Sequence, residues 1–237
     1  MKRWIGACML SAVILSGCGA GFSASEEEQR VQQQVSEADL IAVQQAIDAF
    51  LADTGVLPIK TTEHDTSVYI KYLVDFQKLV PKYLAKAPAN AYEQGGVYQY
   101  IIWNAEHKPT AKLVDLHAAE RIREINLRVF VQQYPAFDTQ IADYVYTLNF
   151  DKMGLEPLTI QSPYSTTHLP IVVTTAGEPI VDYRIDFQRF IDNGDIQAVP
   201  GDDLQQLVAE AYDVVPAYSV PYTVDDKQQV IFMYDGQ

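Results

Sequence analysis

Cys18 is the second and last cysteine of this 237-residue chain, so everything beyond it must fold without a disulfide or a Cys-ligated metal. Burial of apolar side chains has to do that work, and the composition is suited to it. Apolar residues make up 48%, aromatics 11% and charged residues 20%, a globular balance over a length that fits one or two domains. Charge narrows the choice of partner. Seventeen basic against 31 acidic side chains give −14, a field that repels phosphate backbones, so no nucleic-acid partner is expected.

The segment ahead of Cys18 reads as a leader. Lys2 and Arg3 precede an uncharged run over residues 4–16, which is short for a membrane-spanning helix and suits a secretory h-region. Leu15-Ser16-Gly17-Cys18 closes it and resembles a bacterial lipobox. An ordinary signal peptide or a start-transfer helix would share the apolar run. The lipobox resemblance implies a signal peptide over residues 1–17, cleavage before Cys18, and a diacylglyceryl group on the Cys18 sulfur as membrane anchor, with palmitate among its acyl chains. Two acyl chains hold a protein at a bilayer where one does so only marginally. As a whole the chain is similar to the YphF-like lipoproteins of Gram-positive spore-formers. That resemblance implies an extracytoplasmic location and brings no known activity. Loss of Lys2 and Arg3 with the leader would take the charge from −14 to −16, so the mature domain is expected to stand off an anionic leaflet.

Residues 18–35 are small, polar and acidic and read as a tether, with Ser25-Glu26-Glu27-Glu28 as a capping box that would make part of it helical. A helix follows. Ser36 and Asp39 cap it, Leu40, Val43, Ile47, Phe50 and Leu51 recur at helical spacing, and Gly55 stops it. Two later stretches then match each other: Leu57-Pro58-Ile59 with Leu169-Pro170-Ile171, and Asp75-Phe76-Gln77-Lys78 with Asp186-Phe187-Gln188-Arg189. Pro88 precedes Val97 as Pro221 precedes Val230, at the same nine-residue distance. Each unit reads as a β-hairpin, turning at residues 63–65 or 176–178, then a short helix capped by Asp75 or Asp186, then a closing strand. Between them, residues 112–116 predict a strand paired with 97–103. Ala118, Ile122, Ile125, Val129 and Phe130 mark a helix ended by Pro135, and residues 144–150 alternate as a strand. The expectation is an α+β fold with two related lobes, 36–153 and 154–237.

Residues 40–102 faintly resemble the globular part of type II secretion pseudopilins, through Asp53-Thr54-Gly55, Pro58, Pro88 and the aromatic strand ending at Trp103. Pilins keep an N-terminal hydrophobic helix where this chain has a lipobox, so filament assembly is not implied.

No catalytic signature stands out. His64, His107, His117 and His168 form no zinc motif and read as surface or packing residues. Neither a nucleophile elbow nor a phosphate loop occurs, and Gly95-Gly96 reads as turn chemistry. Acids are denser toward the C-terminus. Asp192, Asn193, Asp195, Asp202 and Asp203 could offer oxygens to Ca²⁺, although their spacing is not that of an EF-hand and a solvated acidic surface explains them more simply. Tyr98 and Tyr100 alternate along a strand and read as packing rather than as a binding face. The functional expectation is a lipid-anchored, non-enzymatic binding or assembly module of the cell envelope, with an envelope protein or polymer as partner. A wall-polymer hydrolase with paired carboxylates and a Ca²⁺-dependent module are the alternatives.

Overall fold

The computed structural model describes residues 35–234 and Gly236. Cys18 and the tether, apart from Val35, lie outside them. The fold is α+β, built from two apolar cores joined along one strand.

The first core begins at helix α1 (Glu37–Thr54), whose two ends are set locally. Ser36 Oγ accepts the Asp39 amide, and Gly55 takes the left-handed conformation (φ 74°) that a side chain would oppose. Its inner row, Leu40, Val43, Ala46 and Ile47, is buried against a hairpin of strands β1 (Tyr98–Trp103) and β2 (Thr110–Asp115). The two strands pair in antiparallel register from Tyr98↔Asp115 to Trp103↔Thr110. The period of two divides β1 between both faces of the hairpin. Tyr98, Tyr100 and Ile102 enter the first core, while Ile101 and Trp103 pack behind it with Val114, Val215 and Ala217. Both tyrosines thus have the packing role that their alternation predicts. Two one-turn helices, α2 (Val68–Lys71) and α3 (Phe76–Leu79), complete this half. Gly96 is obligatory before β1, since a Cβ there would stand 2.1 Å from the Asn90 carbonyl carbon and oxygen.

Helix α4 (Leu116–Gln132) starts the second core and buries Ala118, Ile122 and Ile125. Beside it lies a sheet in the order β3 (Phe137–Ala142), β4 (Val145–Leu148), β6 (His168–Thr174), β5 (Thr159–Gln161), with β7 (Pro179–Val181) also on β6. One-turn helix α5 (Phe150–Met153) follows β4. Helices α6 (Arg184–Asn193) and α7 (Leu204–Ala211) and the hairpin of β8 (Tyr222–Val224) and β9 (Val230–Phe232) close the core. Tyr183, Phe187, Phe190 and Tyr222 stack within it at ring separations of 5.1 to 6.4 Å. β4 pairs with β6 across residues 153/154, and apart from Val214 the buried residues of the first core lie before Asp115.

The structure redraws the internal likeness. Asp186 does not cap a helix; it lies inside α6, 1% exposed. The position equivalent to Asp75 is Asp182. Pro58 O accepts the Asp75 amide at 2.7 Å, and Pro170 O accepts the Asp182 amide at 3.0 Å. What recurs is a strand end, Val-Asp, followed by a helix: Leu73-Val74-Asp75-Phe76, Leu113-Val114-Asp115-Leu116 and Ile180-Val181-Asp182-Tyr183. In each, the aspartate accepts the amide two residues on, at 3.1, 2.9 and 3.1 Å. The paired hairpins are unequal. Residues 57–75 form a single bridge, Ile59↔Val74, where β6 and β7 form a ladder. The proposed closing strands also differ in partner, β1 with β2 and β9 with β8.

Tyr222 fastens the second core. Its hydroxyl donates to Val181 O at 2.9 Å and accepts the Tyr183 amide at 3.1 Å, both buried. Tyr222→Phe strands that amide and is expected to cost about 1–3 kcal/mol. A lower urea midpoint with an unchanged slope would show this.

Candidate functional site

At Asp115 the chain passes from the first core to the second, and a cleft of about 580 Å³ opens there. One wall is the N-terminal end of α4, which presents His117 and Arg121 from the same helix face. The opposite wall is β5, the loop 162–167 and His168. Tyr98 lies at its edge, where burial raises its phenol to about 12.

The loop is held in shape by its own serines. Ser162 N–H donates to Thr167 O at 2.8 Å, and the Ser162 and Ser165 hydroxyls accept the Tyr164 and Thr167 amides at 2.9 and 3.2 Å. Ser165 Oγ also donates to Asp186 Oδ1 at 3.2 Å beneath the loop, where Arg189 approaches at 3.4 Å. Burial raises the Asp186 pKa, and the nearby hydroxyls of Ser162 and Ser165 and the Arg189 charge oppose that rise. Asp186 Oδ2 has no hydrogen-bond partner of sound geometry among the described residues.

Asp115 has two tasks. Its Oδ1 accepts the His117 amide at 2.9 Å, starting α4, and lies 2.8 Å from His117 Nδ1. That second contact raises the imidazole pKa above its ordinary 6.5. Arg121 is steadied by Glu124 at 3.1 Å. The result is a polar cleft lined by one guanidinium, two imidazoles and several hydroxyl and amide groups, with its one lining carboxylate already engaged by an imidazole.

Of the four histidines read as surface or packing residues, His117 and His168 line this cleft and His64 and His107 do not. The signal that could have found His117 is its place two residues after a Val-Asp strand end.

The Ca²⁺ candidates have separate local roles. Asp203 caps α7 through the Gln205 and Gln206 amides, Asp202 accepts the Val199 amide at 2.9 Å, and Asp192 accepts from Gln188 at 2.9 Å. Asn193 approaches Asp195 at 3.5 Å. Among the described residues no three His, Cys, Asp or Glu side chains gather so as to hold a metal ion.

Fold and cleft together define an α+β protein with a polar groove at the junction of two cores. Residues 36–115 match the model described as the YphF family N-terminal domain, a stretch running from the cap of α1 to the end of β2. The matched segment is thus the first core, ending at the residue where the cleft begins. Neither a curated protein nor a solved structure matches the chain.

The His117–Asp115 contact makes stability depend on pH with a definite sign. A pKa raised by folding gives stabilisation that is complete below the unfolded value and disappears as pH climbs through the folded one. Between about pH 6 and 8.5, where imidazoles titrate, the melting-temperature advantage of the wild type over His117→Ala is expected to shrink steadily. Thermal denaturation of both proteins across that range checks it, and an advantage that grows with pH would contradict it.

Proposed function

We propose that the chain is a lipid-anchored extracytoplasmic protein of the cell envelope, held through Cys18, and that it serves as a binding module whose ligand sits in the cleft between the cores. The cleft is the observation that carries the binding half of this reading. Arg121, His117 and His168 offer donors there, against the single carboxylate of Asp115, while the Ser165 proton is already given to Asp186. Such a lining suits a ligand rich in acceptors: a hydroxylated envelope polymer carrying phosphate or carboxylate groups, or an acidic protein segment. Leu15-Ser16-Gly17-Cys18 supports the anchor, and the match over residues 36–115 supports reading the whole chain as YphF-like.

Polymer hydrolysis by paired acids is less well supported. That chemistry places two carboxyl groups roughly 5 to 9.5 Å apart across the scissile bond. Asp115 alone lines the cleft, and Asp186, beneath the loop, is sealed from solvent.

Titration calorimetry of the full chain against phosphate-bearing wall polymer and peptidoglycan fragments tests the binding half. One of them is expected to bind, and Arg121→Ala/His168→Ala to weaken it roughly tenfold or more, the loss of one or two charge-assisted hydrogen bonds. Equal binding by both proteins, or none by either, overturns the assignment of the cleft. Radioactive palmitate tests the anchor: label is expected on the wild type and absent from Cys18→Ala.

A further inference from the structure

Helix α4 carries a second, outward-facing apolar row. Leu127, Phe130 and Val131 stand at i, i+3 and i+4 and are 63, 74 and 67% exposed; Tyr134 and Phe137 continue the patch past the helix end. Val129 packs against the second core, and Phe130 turns out to solvent. Taking about 200 Å² for a large side chain fully exposed, the five together present roughly 600 Å² to water. That is at the upper end of what a monomer shows without a use for it.

Arginines also stand beside this row. Of the five arginines among the described residues, Arg121, Arg184 and Arg189 are paired with Glu124, Asp182 and Asp186. Arg123 and Arg128 form no ion pair among the described residues, and both are exposed on α4 near the apolar row. Among the described residues, the two guanidiniums without an ion pair thus lie next to this apolar row. The acids nearby are partly engaged: Glu124 faces Arg121, and Asp138 receives the Asn149 amide group at 3.4 Å.

We infer that this face, the C-terminal half of α4 with the start of β3, docks on an anionic lipid bilayer. Apolar side chains flanked by arginines are the composition of a surface that settles at the headgroup boundary, where guanidiniums meet lipid phosphates. Net charge alone sets the expectation that the domain stands off such a leaflet; this face departs from it because acids on other faces act through a screening length of about 8 Å. Reach is sufficient as well. The inference rests on the anchored reading, and the seventeen peptide steps from Cys18 to Val35 span at most roughly 60 Å, against about 40 Å for the width of a 200-residue domain. A second copy suits the face less well, since self-pairing would gather four unpaired guanidiniums around one seam.

Hydroxyl-radical footprinting of the full chain reads the face directly. The protein is reconstituted on vesicles of phosphatidylcholine alone or with about one-third phosphatidylglycerol. Oxidation of Phe130, Tyr134 and Phe137 is expected to fall several-fold on the anionic vesicles only. Tyr92, 62% exposed on the first core, serves as the unchanged reference. Arg123→Glu/Arg128→Glu is expected to return oxidation to the neutral-vesicle level. Equal oxidation on both vesicles overturns the inference, and so does protection that follows protein density rather than lipid charge, the mark of self-association. Protection that follows lipid charge in a chain free of acyl groups supports docking while removing the anchor, so the two failures are distinguishable.

Discussion

The molecule depends on a graft at Leu113. A two-stranded sheet is marginal alone, and the outer edge of β2 would be open. Residues 213–215 close it: Leu113 N–H donates to Asp213 O and Val215 N–H to Leu113 O, each at 2.8 Å. Beside this seam the Lys112 ammonium is buried and donates to Glu210 O at 3.2 Å and Tyr212 O at 2.6 Å. Burial lowers its pKa, but the carbonyls it meets lie at the C-terminal end of α7, where a cation is favoured. Tyr164 reaches across to Val214 O at 2.9 Å, and Arg189 donates to Tyr164 O. The loop of the cleft is thereby tied to the same seam, so cleft geometry and core-to-core attachment stand or fall together.

How legible this was in the sequence depended on how local the deciding contacts are. Helix α1 could be read from end to end because Ser36 and Gly55 set its limits without help from the rest of the chain. The pairing of β1 with β2 followed from adjacent apolar runs. The graft could not be read, since a hundred residues separate Leu113 from Val214. The internal duplication expected from the sequence is not confirmed by the fold, where the two hairpins are unequal and the closing strands have different partners. A shared Asp-Phe-Gln drew Asp75 onto Asp186, whereas the backbone repeats Pro-Ile and Val-Asp, and Asp186 is enclosed within a helix.

The candidate site was the least readable part. Its members come from residues 98 to 168 and belong to no motif with fixed spacing. Acidic clusters drew attention through density, yet a carboxylate is equally suited to capping a helix or closing a turn, as Asp203 and Asp202 do. His117 matters because a neighbour two residues away holds its ring, a relation that composition does not register.

Asp115 therefore has a consequence beyond the cleft. The oxygen that nucleates α4 is the one that steadies the imidazole, so a proton gained or lost at the groove's mouth is felt in the helix's first turn. Beyond that turn Ala118, Ile122 and Ile125 hold the helix to the second core, so the response stays at its threshold.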